Sequence, residues 1–297
     1  VLAFIGGNGT MSALKRMGEI AETIGYELQL VGIPKTVDND LGQTDHAPGF
    51  ASAARFVALS VRNIVKDLEA MRNFEQVRII ETMGRNAGWL ALSGGYLKHG
   101  REGGPHHIYL PEVPVAPEQM LREVEQTVQN FGTAAIVVSE GFAFAGAPKI
   151  ERQFVNGRTV LGGISGQMER LIHEQLGYHV RSENLGMNQR SASFAVSLQD
   201  RREAYEVGSR AAAYIAGELS GIMVNIQRQP DECYNYFVGQ VPLERVVQSG
   251  ERLLPPQFIA DASEYYAWLE PILGEPIASY PSSWEKGACD EPERVYP

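Results

Sequence analysis

The chain has 297 residues, of which 44% are hydrophobic and 21% charged, so its composition is that of a globular protein rather than a disordered one. Its 26 Lys and Arg against 36 Asp and Glu give a net charge of −10, which disfavours non-specific binding to nucleic acid or a membrane surface. No apolar run approaches the roughly 18 residues that a membrane helix needs. The two cysteines, Cys233 and Cys289, are too few for a disulfide framework, so we expect a reducing, cytoplasmic location.

Strand-like and helix-like stretches alternate along the chain. The predicted strands cover residues 1–5, 28–33, 77–80, 108–110, 134–138, 179–182, 222–226 and 234–241. The predicted helices cover residues 10–24, 48–68, 87–97, 117–129, 163–176 and 201–220. This alternation predicts an α/β fold whose sheets are largely parallel. From Pro255 onward the sequence is aromatic and dotted with proline, which predicts a partly helical tail packed on the body.

The loop after the first predicted strand has the sequence Gly6-Gly7-Asn8-Gly9-Thr10. Glycines let a phosphate approach the backbone, and the N–H groups at the start of a helix favour an anion. A phosphate-binding loop and an ordinary tight turn both account for this pattern taken alone.

A second loop, Pro34-Lys-Thr-Val-Asp-Asn-Asp40, combines a cation, a hydroxyl and two carboxylates after a predicted strand. In an extended conformation Asp38 and Asp40 lie on the same side, with Asn39 pointing away. One carboxylate could serve as a general base and the other could bind a metal, while Lys35 could neutralise a transferring phosphoryl group. The alternative is an acidic turn with a solvated lysine.

Two further loops place one charged side chain each after a predicted strand. Arg85, within Met83-Gly84-Arg85, could hold an anion together with backbone amides, or lie on the surface at the start of a helix. Glu140, within Ser-Glu-Gly, could accept hydrogen bonds from sugar hydroxyls, or interact with the dipole of a helix.

Together with Leu185-Gly186-Met187-Asn188-Gln189-Arg190, these motifs resemble the 6-phosphofructokinase family in order and spacing over about residues 1–228. The family has ATP-dependent and pyrophosphate-dependent members. The resemblance implies two similar Rossmann-like α/β domains with mainly parallel sheets and an active site in the cleft between them. It assigns residues 1–50 and 191–254 to a phosphoryl-donor domain, residues 51–190 to a sugar-phosphate domain and residues 255–297 to a C-terminal tail.

The activity that this resemblance implies is phosphoryl transfer to the 1-hydroxyl of fructose 6-phosphate, giving fructose 1,6-bisphosphate in glycolysis. Mg²⁺ is the implied cofactor, and ATP is favoured over pyrophosphate as the donor. Asp38 is implied as the base, with Thr36, Arg85 and Lys35 supporting the transferring group. The implied ligands are Asn8 and Asp40 for the metal, Gly7, Asn8, Gly9 and Thr10 for the donor, and Thr36, Val37, Asp38, Met83, Gly84, Arg85, Glu140, Arg181, Met187, Asn188, Gln189 and Arg190 for the sugar phosphate.

The resemblance also implies an oligomer, because Arg181 matches a family arginine that reaches the substrate of a neighbouring subunit. We therefore expect a homodimer or homotetramer with shared active sites, whose other partners are the sugar phosphate and the donor. Neither nucleic acid nor membrane is expected as a partner.

The sequence departs from the family pattern at the elements that bind the donor. The opening strand and phosphate loop of the family are absent, and the chain starts directly on a buried-type strand, so we expect that a preceding segment is missing. Asn8 stands where many members carry a metal-binding Asp, and Asn has an oxygen ligand without the charge. Gly9 leaves room for a nucleotide, whereas Lys35 is the residue of pyrophosphate users.

Further departures concern the sugar-phosphate end. Ser191-Ala192 replaces the usual Gly-Gly after the Gln-Arg pair, and Gln76 stands where the family has an arginine, with Arg78 two residues on. Two alternatives therefore stay open: a non-catalytic relative that binds sugar phosphate, and a lipid or NAD kinase that shares the glycine loop. We expect His106 and His107 to be structural or surface residues.

Overall fold

The computed structural model describes residues 1–100, 103–155, 158–231 and 233–278. Its strands are β1 (Leu2–Gly6), β2 (Leu30–Pro34), β3 (Val77–Thr82), β4 (His107–Tyr109), β5 (Ala134–Ser139), β6 (Glu151–Val155), β7 (Arg158–Leu161), β8 (Val180–Asn184), β9 (Ile222–Arg228) and β10 (Tyr236–Pro242). Its α-helices are α1 (Asn8–Thr23), α2 (Phe50–Met71), α3 (Trp89–Ser93), α4 (Pro117–Phe131), α5 (Ile164–Leu176), α6 (Leu198–Ala216), α7 (Leu243–Ser249), α8 (Pro256–Ala260) and α9 (Ala262–Leu269). Short 3-10 helices cover Gly186–Arg190, Ser193–Ala195 and Glu270–Leu273.

The strands form two four-stranded sheets and one hairpin. The first sheet has the order β1-β2-β9-β10, in which β1, β2 and β9 are parallel and β10 is antiparallel to β9. The second sheet has the order β4-β5-β3-β8 and is parallel throughout. The mainly parallel α/β fold predicted from the sequence is therefore confirmed.

Helices cover both faces of each sheet, which explains why the central strands are buried on both sides. In the second sheet every residue of β3 and β5 is buried, the pattern expected of a strand enclosed by helices. One face packs on α2 and α3 through Val57, Ile80 and Val137. The other packs on α4 and α5 through residues that include Met120, Ile136 and Met168.

The first sheet is enclosed in the same way. Met11 and Leu14 of α1 and Val246 of α7 pack with Leu30 and Met223 on one face. Val207 and Ala211 of α6 pack with Val31 and Val224 on the other. Sequence segments far apart thus share one sheet, since β9 pairs with β2 across almost two hundred residues.

Two predicted helices have different limits in the structure. The helix predicted over 87–97 is α3 alone, because Gly94 and Gly95 follow it and Gly95 packs so closely on Tyr266 that a Cβ would lie 2.0 Å from its hydroxyl oxygen. The helix predicted from residue 201 begins at Leu198, because the hydroxyl of Ser197 accepts a hydrogen bond from the Asp200 amide and caps it.

The β6–β7 hairpin and α7 were not predicted. The sequence carries a signal for the first, since Asn156-Gly157 between the two strands is a pair typical of hairpin turns. In the C-terminal region α8 and α9 pack on the body through an aromatic cluster in which Phe258, Tyr265 and Trp268 surround Trp89. Residues 279–297 of the predicted tail lie outside the described residues. No helix among the described residues is long and apolar enough to cross a membrane.

Candidate active site

A cleft of about 1250 Å³ lies where loops at the carboxyl ends of β1 and β2 face loops that follow β3, β5 and β8. Ligands of α/β sheets bind at such strand ends. Most residues that the sequence analysis selected line this cleft; they are Gly7, Asn8, Gly9, Thr10, Lys35, Thr36, Val37, Asp38, Asp40, Met83, Arg85, Glu140, Met187, Gln189 and Arg190. Gly84, Asn188 and Arg181 are not among the lining residues. Their proposed roles stay predictions, but the tertiary structure brings five separate motifs to one place.

The glycine loop is joined to the carboxylate loop by a side chain. Gly7 ends the turn after β1, and Asn8 is the first residue of α1. The Asn8 Nδ2 atom donates a 2.9 Å hydrogen bond to the Asp40 carbonyl oxygen. Because the amide nitrogen is used in this way, Oδ1 is the Asn8 atom that could bind a metal. Asn8 thus connects the glycine loop to the backbone at Asp40.

The carboxylate loop is not extended, so that part of the sequence interpretation is wrong. Asn39 has a φ of 53°, in the left-handed region that Asn adopts more readily than most residues with a side chain. Asn39 is also buried, and its Oδ1 atom accepts a 3.2 Å hydrogen bond from the Ala47 amide. Asp38 and Asp40 nevertheless both line the cleft.

The hydroxyl of Thr36 lies between the two carboxylate residues. It accepts a 3.1 Å hydrogen bond from the Asp38 amide, and it lies 3.4 Å from Asp40 Oδ1. The Thr36 backbone is fixed by a hydrogen bond that its amide donates to the Pro48 carbonyl at 3.3 Å. The first turn of α2 follows directly, so the carboxylate loop is closed at its base.

The cleft carboxylates hold their protons more strongly than free carboxyl groups. Burial, with the nearby Asp40, raises the pKa of Asp38 to about 6. Burial also raises the pKa of Asp40. Burial, with the nearby Asp38, raises the pKa of Glu140 to about 7. A carboxylate whose pKa is near neutrality is suited to general-base chemistry at that pH.

Glu251 is a cleft residue that the sequence analysis missed. Its carboxylate accepts a hydrogen bond from Asn86 Nδ2, and it contributes to the raised pKa of both Asp38 and Asp40. The backbone next to it is fixed because the Arg252 amide donates to the Asp40 carbonyl at 2.7 Å. No local motif marks Glu251, since only the fold brings residue 251 beside residue 40.

The loop that carries Arg85 is positioned by Gln189. The Gln189 Oε1 atom accepts a 3.0 Å hydrogen bond from the Met83 amide, and its Nε2 atom donates to the Gly186 carbonyl at 3.0 Å. The side chain is buried and connects the loop after β3 to the loop after β8. Close backbone contact adds to this, because a Cβ on Gly141 would lie 1.7 Å from the Arg85 carbonyl oxygen.

The arginines on β3 and β8 lie away from the cleft. Arg78 is 3% exposed and is surrounded by carboxylates of Glu75, Asp67 and Glu183, so it is not available to a ligand in the cleft. Arg181 is exposed and lies 3.3 Å from Glu75, in a separate surface depression. Its expected contact with a neighbouring subunit stays a prediction.

The residues proposed for Mg²⁺ have suitable chemistry. The Asp40 carboxylate is largely buried, and its hydrogen bond from the Thr36 hydroxyl is long, at 3.4 Å. Mg²⁺ in phosphoryl-transfer sites uses one or two carboxylates together with phosphate oxygens and water. Among the described residues, no group of three or more His, Cys, Asp or Glu could hold a metal by itself. His107 is hydrogen-bonded to Thr127 and His106 accepts from the Ala135 amide, as expected for structural residues.

Comparison with known proteins gives one consistent group. The model of the phosphofructokinase family matches residues 1–215. A sulfofructose kinase of Alkalicoccus urumqiensis is 47% identical over 94% of this chain and 72% of its own length. A pyrophosphate–fructose 6-phosphate 1-phosphotransferase of Xanthomonas campestris is 34% identical over 93% of this chain and 69% of its own length. The crystal structure of a pyrophosphate-dependent phosphofructokinase from Marinobacter aquaeolei superposes with a TM-score of 0.80 at 28% identity, covering 95% of this chain and 69% of that one.

Proposed function

Since the chain belongs to the phosphofructokinase family, we propose that it transfers a phosphoryl group to the 1-hydroxyl of fructose 6-phosphate, giving fructose 1,6-bisphosphate. One observation carries this proposal above the others. A carboxylate with a pKa of about 6, Asp38, shares a cleft with two cations, Lys35 and Arg85. Phosphoryl transfer needs little more from a protein than a base, positioned reactants and positive charge.

The proposed step uses Asp38 as the general base. The sugar oxygen attacks the terminal phosphorus of the donor, the bond from that phosphorus to the leaving oxygen breaks, and the hydroxyl proton passes to the Asp38 carboxylate. Lys35 and Arg85 offset the negative charge on the transferring group. Mg²⁺, when held by Asp40 and Asn8, supplies further positive charge to the donor phosphates.

The sugar is proposed to lie between the loops of the second sheet. Glu140 accepts hydrogen bonds from sugar hydroxyls, and the segment from Met187 to Arg190 holds the anionic group on C6, with Arg190 as its charged ligand. Both residues line the cleft, in the loops that follow β5 and β8.

ATP is the proposed donor, because Gly9 has no side chain to occupy space beside the donor loop. Pyrophosphate is the alternative, supported by Lys35 and by the names of several relatives at about one-third identity. The two donors differ in size and share the phosphate chemistry, so both belong in the same assay.

A second acceptor is favoured by the relative at 47% identity, which is named a sulfofructose kinase. A sulfonate carries a single negative charge, whereas a phosphate monoester carries about −1.5 to −2 at neutral pH. Gln76, where the family resemblance expects an arginine, is neutral and accepts from the His179 amide at 3.0 Å. Fewer cations around C6 suit the singly charged group.

The test is a coupled assay on the full chain with fructose 6-phosphate and 6-deoxy-6-sulfofructose, each offered with ATP and with pyrophosphate. Turnover of either acceptor that disappears in Asp38→Asn supports the proposed chemistry, and the ratio of the two kcat/KM values assigns the substrate. Binding of both acceptors without turnover by any donor would contradict the kinase proposal and favour the non-catalytic relative.

The assembly and location are also proposals. We propose a homodimer or homotetramer in which Arg181 of one subunit approaches the cleft of the next, and a cytoplasmic location. Sedimentation of the wild-type chain beside Arg181→Ala measures the first. A monomer that is fully active with low KM for the sugar would contradict shared sites.

A further inference from the structure

Behind the carboxylate loop lies a buried ionic cluster that no step of the proposed reaction uses. At its centre is His46, whose ring is completely buried. Its Nδ1 atom lies 2.9 Å from Asp45 Oδ2, and its Nε2 atom lies 2.6 Å from Glu203 Oε2. Both ring nitrogens thus face carboxylates, which is the arrangement expected of a protonated imidazolium donating two hydrogen bonds.

The carboxylates around His46 are held by other elements of the fold. Asp45 also accepts from Trp268 Nε1 at 3.1 Å and lies 3.4 Å from Arg228 Nε. Glu203, on α6, also accepts from Gln199 and from the Tyr234 hydroxyl. The Arg252 guanidinium donates to the Asp45 carbonyl. The cluster therefore ties residues 45–46 to α6, β9 and α9.

The electrostatics agree with this geometry. Burial by itself lowers the pKa of His46, but the hydrogen bonds and charges of Asp45 and Glu203 outweigh it and raise the pKa to about 9. Burial opposes ionisation of Asp45 as well, yet the contact with His46 lowers its pKa to about 2. His46 is thus charged at neutral pH.

The peptide that follows His46 is connected to the cleft through Asn39. The Ala47 amide donates to Asn39 Oδ1, and Asn39 is the left-handed residue between Asp38 and Asp40. The His46 carbonyl is fixed at the same time by the Thr44 hydroxyl at 2.8 Å. A left-handed conformation costs less for Asn than for most residues with a side chain, and the hydrogen bond from Ala47 stabilises it further.

We infer that His46 is a positioning residue for Asp38 and Asp40: clamped between Asp45 and Glu203, it fixes the Ala47 amide that holds Asn39 in its left-handed conformation. The inference rests on the proposed role of Asp38 as the base. His46 itself touches no reacting atom. It acts on the reaction only through the direction in which the two carboxylates point.

The test compares His46→Gln with His107→Gln, a matched histidine variant in the other sheet, where His107 has a side-chain hydrogen bond to Thr127. For His46→Gln we expect kcat to fall by about tenfold or more, since small misplacements of reacting groups are costly, while KM for the sugar changes little. For His107→Gln we expect unchanged kcat.

A double-mutant cycle tests the route of the effect. Asn39→Gly permits the left-handed backbone but removes the Oδ1 acceptor that holds it, so the loop is freer to leave that conformation and kcat should fall as in His46→Gln. If both act through the Ala47 contact, the double variant loses little more than the worse single one. Multiplying losses, or an unchanged kcat in folded His46→Gln, would overturn the inference.

Hydrogen exchange judges the inference without any activity. In His46→Gln the backbone amides of residues 36–48 should exchange faster, whereas in His107→Gln they should not change. Equal protection of that segment in the wild type and His46→Gln would reject the positioning role. Wild-type chain that phosphorylates no acceptor would reject the proposed function instead, and the exchange result would still stand.

Discussion

Two groups of carboxylates, one lining the cleft and one buried behind it, behave in opposite ways. In the cleft, burial raises the pKa values of Asp38 to about 6 and Glu140 to about 7, with few donors to compensate. Behind it, His46 lowers the pKa of Asp45 to about 2 and also lowers that of Glu203, in both cases against burial. The difference shows which carboxylates can take part in proton transfer. A carboxylate exchanges a proton near neutral pH only where hydrogen bonds and opposite charges do not fully stabilise its ionised form, as in the cleft.

The largest expected effect breaks the cleft group. Asp38→Asn removes the base while keeping the size and the backbone contact to Thr36. Since general-base catalysis contributes about 10²- to 10⁴-fold, kcat should fall by that order while the KM for the sugar stays near the wild-type value. Steady-state kinetics measures both constants. Near-wild-type kcat would remove Asp38 from the mechanism.

The second prediction concerns the cluster behind the cleft and the pH dependence of stability. The folded pKa of His46, about 9, is above its value of about 6.5 in an unfolded chain, so its contribution is complete below pH 6.5 and is lost as the pH rises through 9. We expect the free energy of unfolding to fall on the order of 2 kcal/mol over this range. Urea titrations at several pH values measure it. His46→Gln should flatten the dependence, and an identical slope in that variant would contradict the assignment.

The third prediction separates the cations of the cleft by donor. Lys35→Gly removes a positive charge beside the transferring phosphoryl group. ATP can still bind through its nucleoside in this variant, whereas pyrophosphate has no nucleoside. We expect kcat/KM to fall by about tenfold or more with pyrophosphate and by less with ATP. Equal losses with both donors would show that Lys35 does not discriminate between them.

The smallest expected effect is on the stability of Asp38→Asn. This variant should lose activity, but its free energy of unfolding should rise. Because the folded pKa of Asp38 is raised above its ordinary value, ionisation of Asp38 destabilises the folded state above that range. Asp38→Asn should therefore stabilise the inactive protein by about 1 kcal/mol at pH 8, a cost that function imposes on the wild type. The melting temperature checks this, with Asp231→Asn, at an exposed position, as the control. A lower melting temperature for Asp38→Asn would show that Asp38 supports the fold.

The pH profile of kcat reports on the cleft carboxylates alone. If Asp38 is the base, kcat rises with pH through a value near 6, since only the ionised carboxylate accepts the proton. The same charge raises the pKa of Glu140, so Asp38→Asn should lower the Glu140 pKa below about 7. Carbon NMR of the labelled carboxyl groups follows both titrations.

Local patterns in the sequence determined the alternating elements, the parallel sheets and the motifs of the cleft, because apolar periodicity and strand-end loops are written within a few residues of each other. Asn39 shows where this stops. Its place between Asp38 and Asp40 was visible, but its left-handed backbone is held by the Ala47 amide, which follows His46 and its contact with Glu203 of α6.

Only the tertiary structure decided the partners of those motifs. Glu251 lines the cleft although it lies in a distant loop. Arg78 pairs with three carboxylates, and His46 contacts Glu203 although more than 150 residues separate them in the sequence. The physical reason is that pKa values, buried ion pairs and backbone strain depend on desolvation and on neighbours in space. The sequence by itself indicated which side chains are chemically able to take part in the reaction. The packing of distant segments determined which of them are charged, which are not already paired, and which line the cleft.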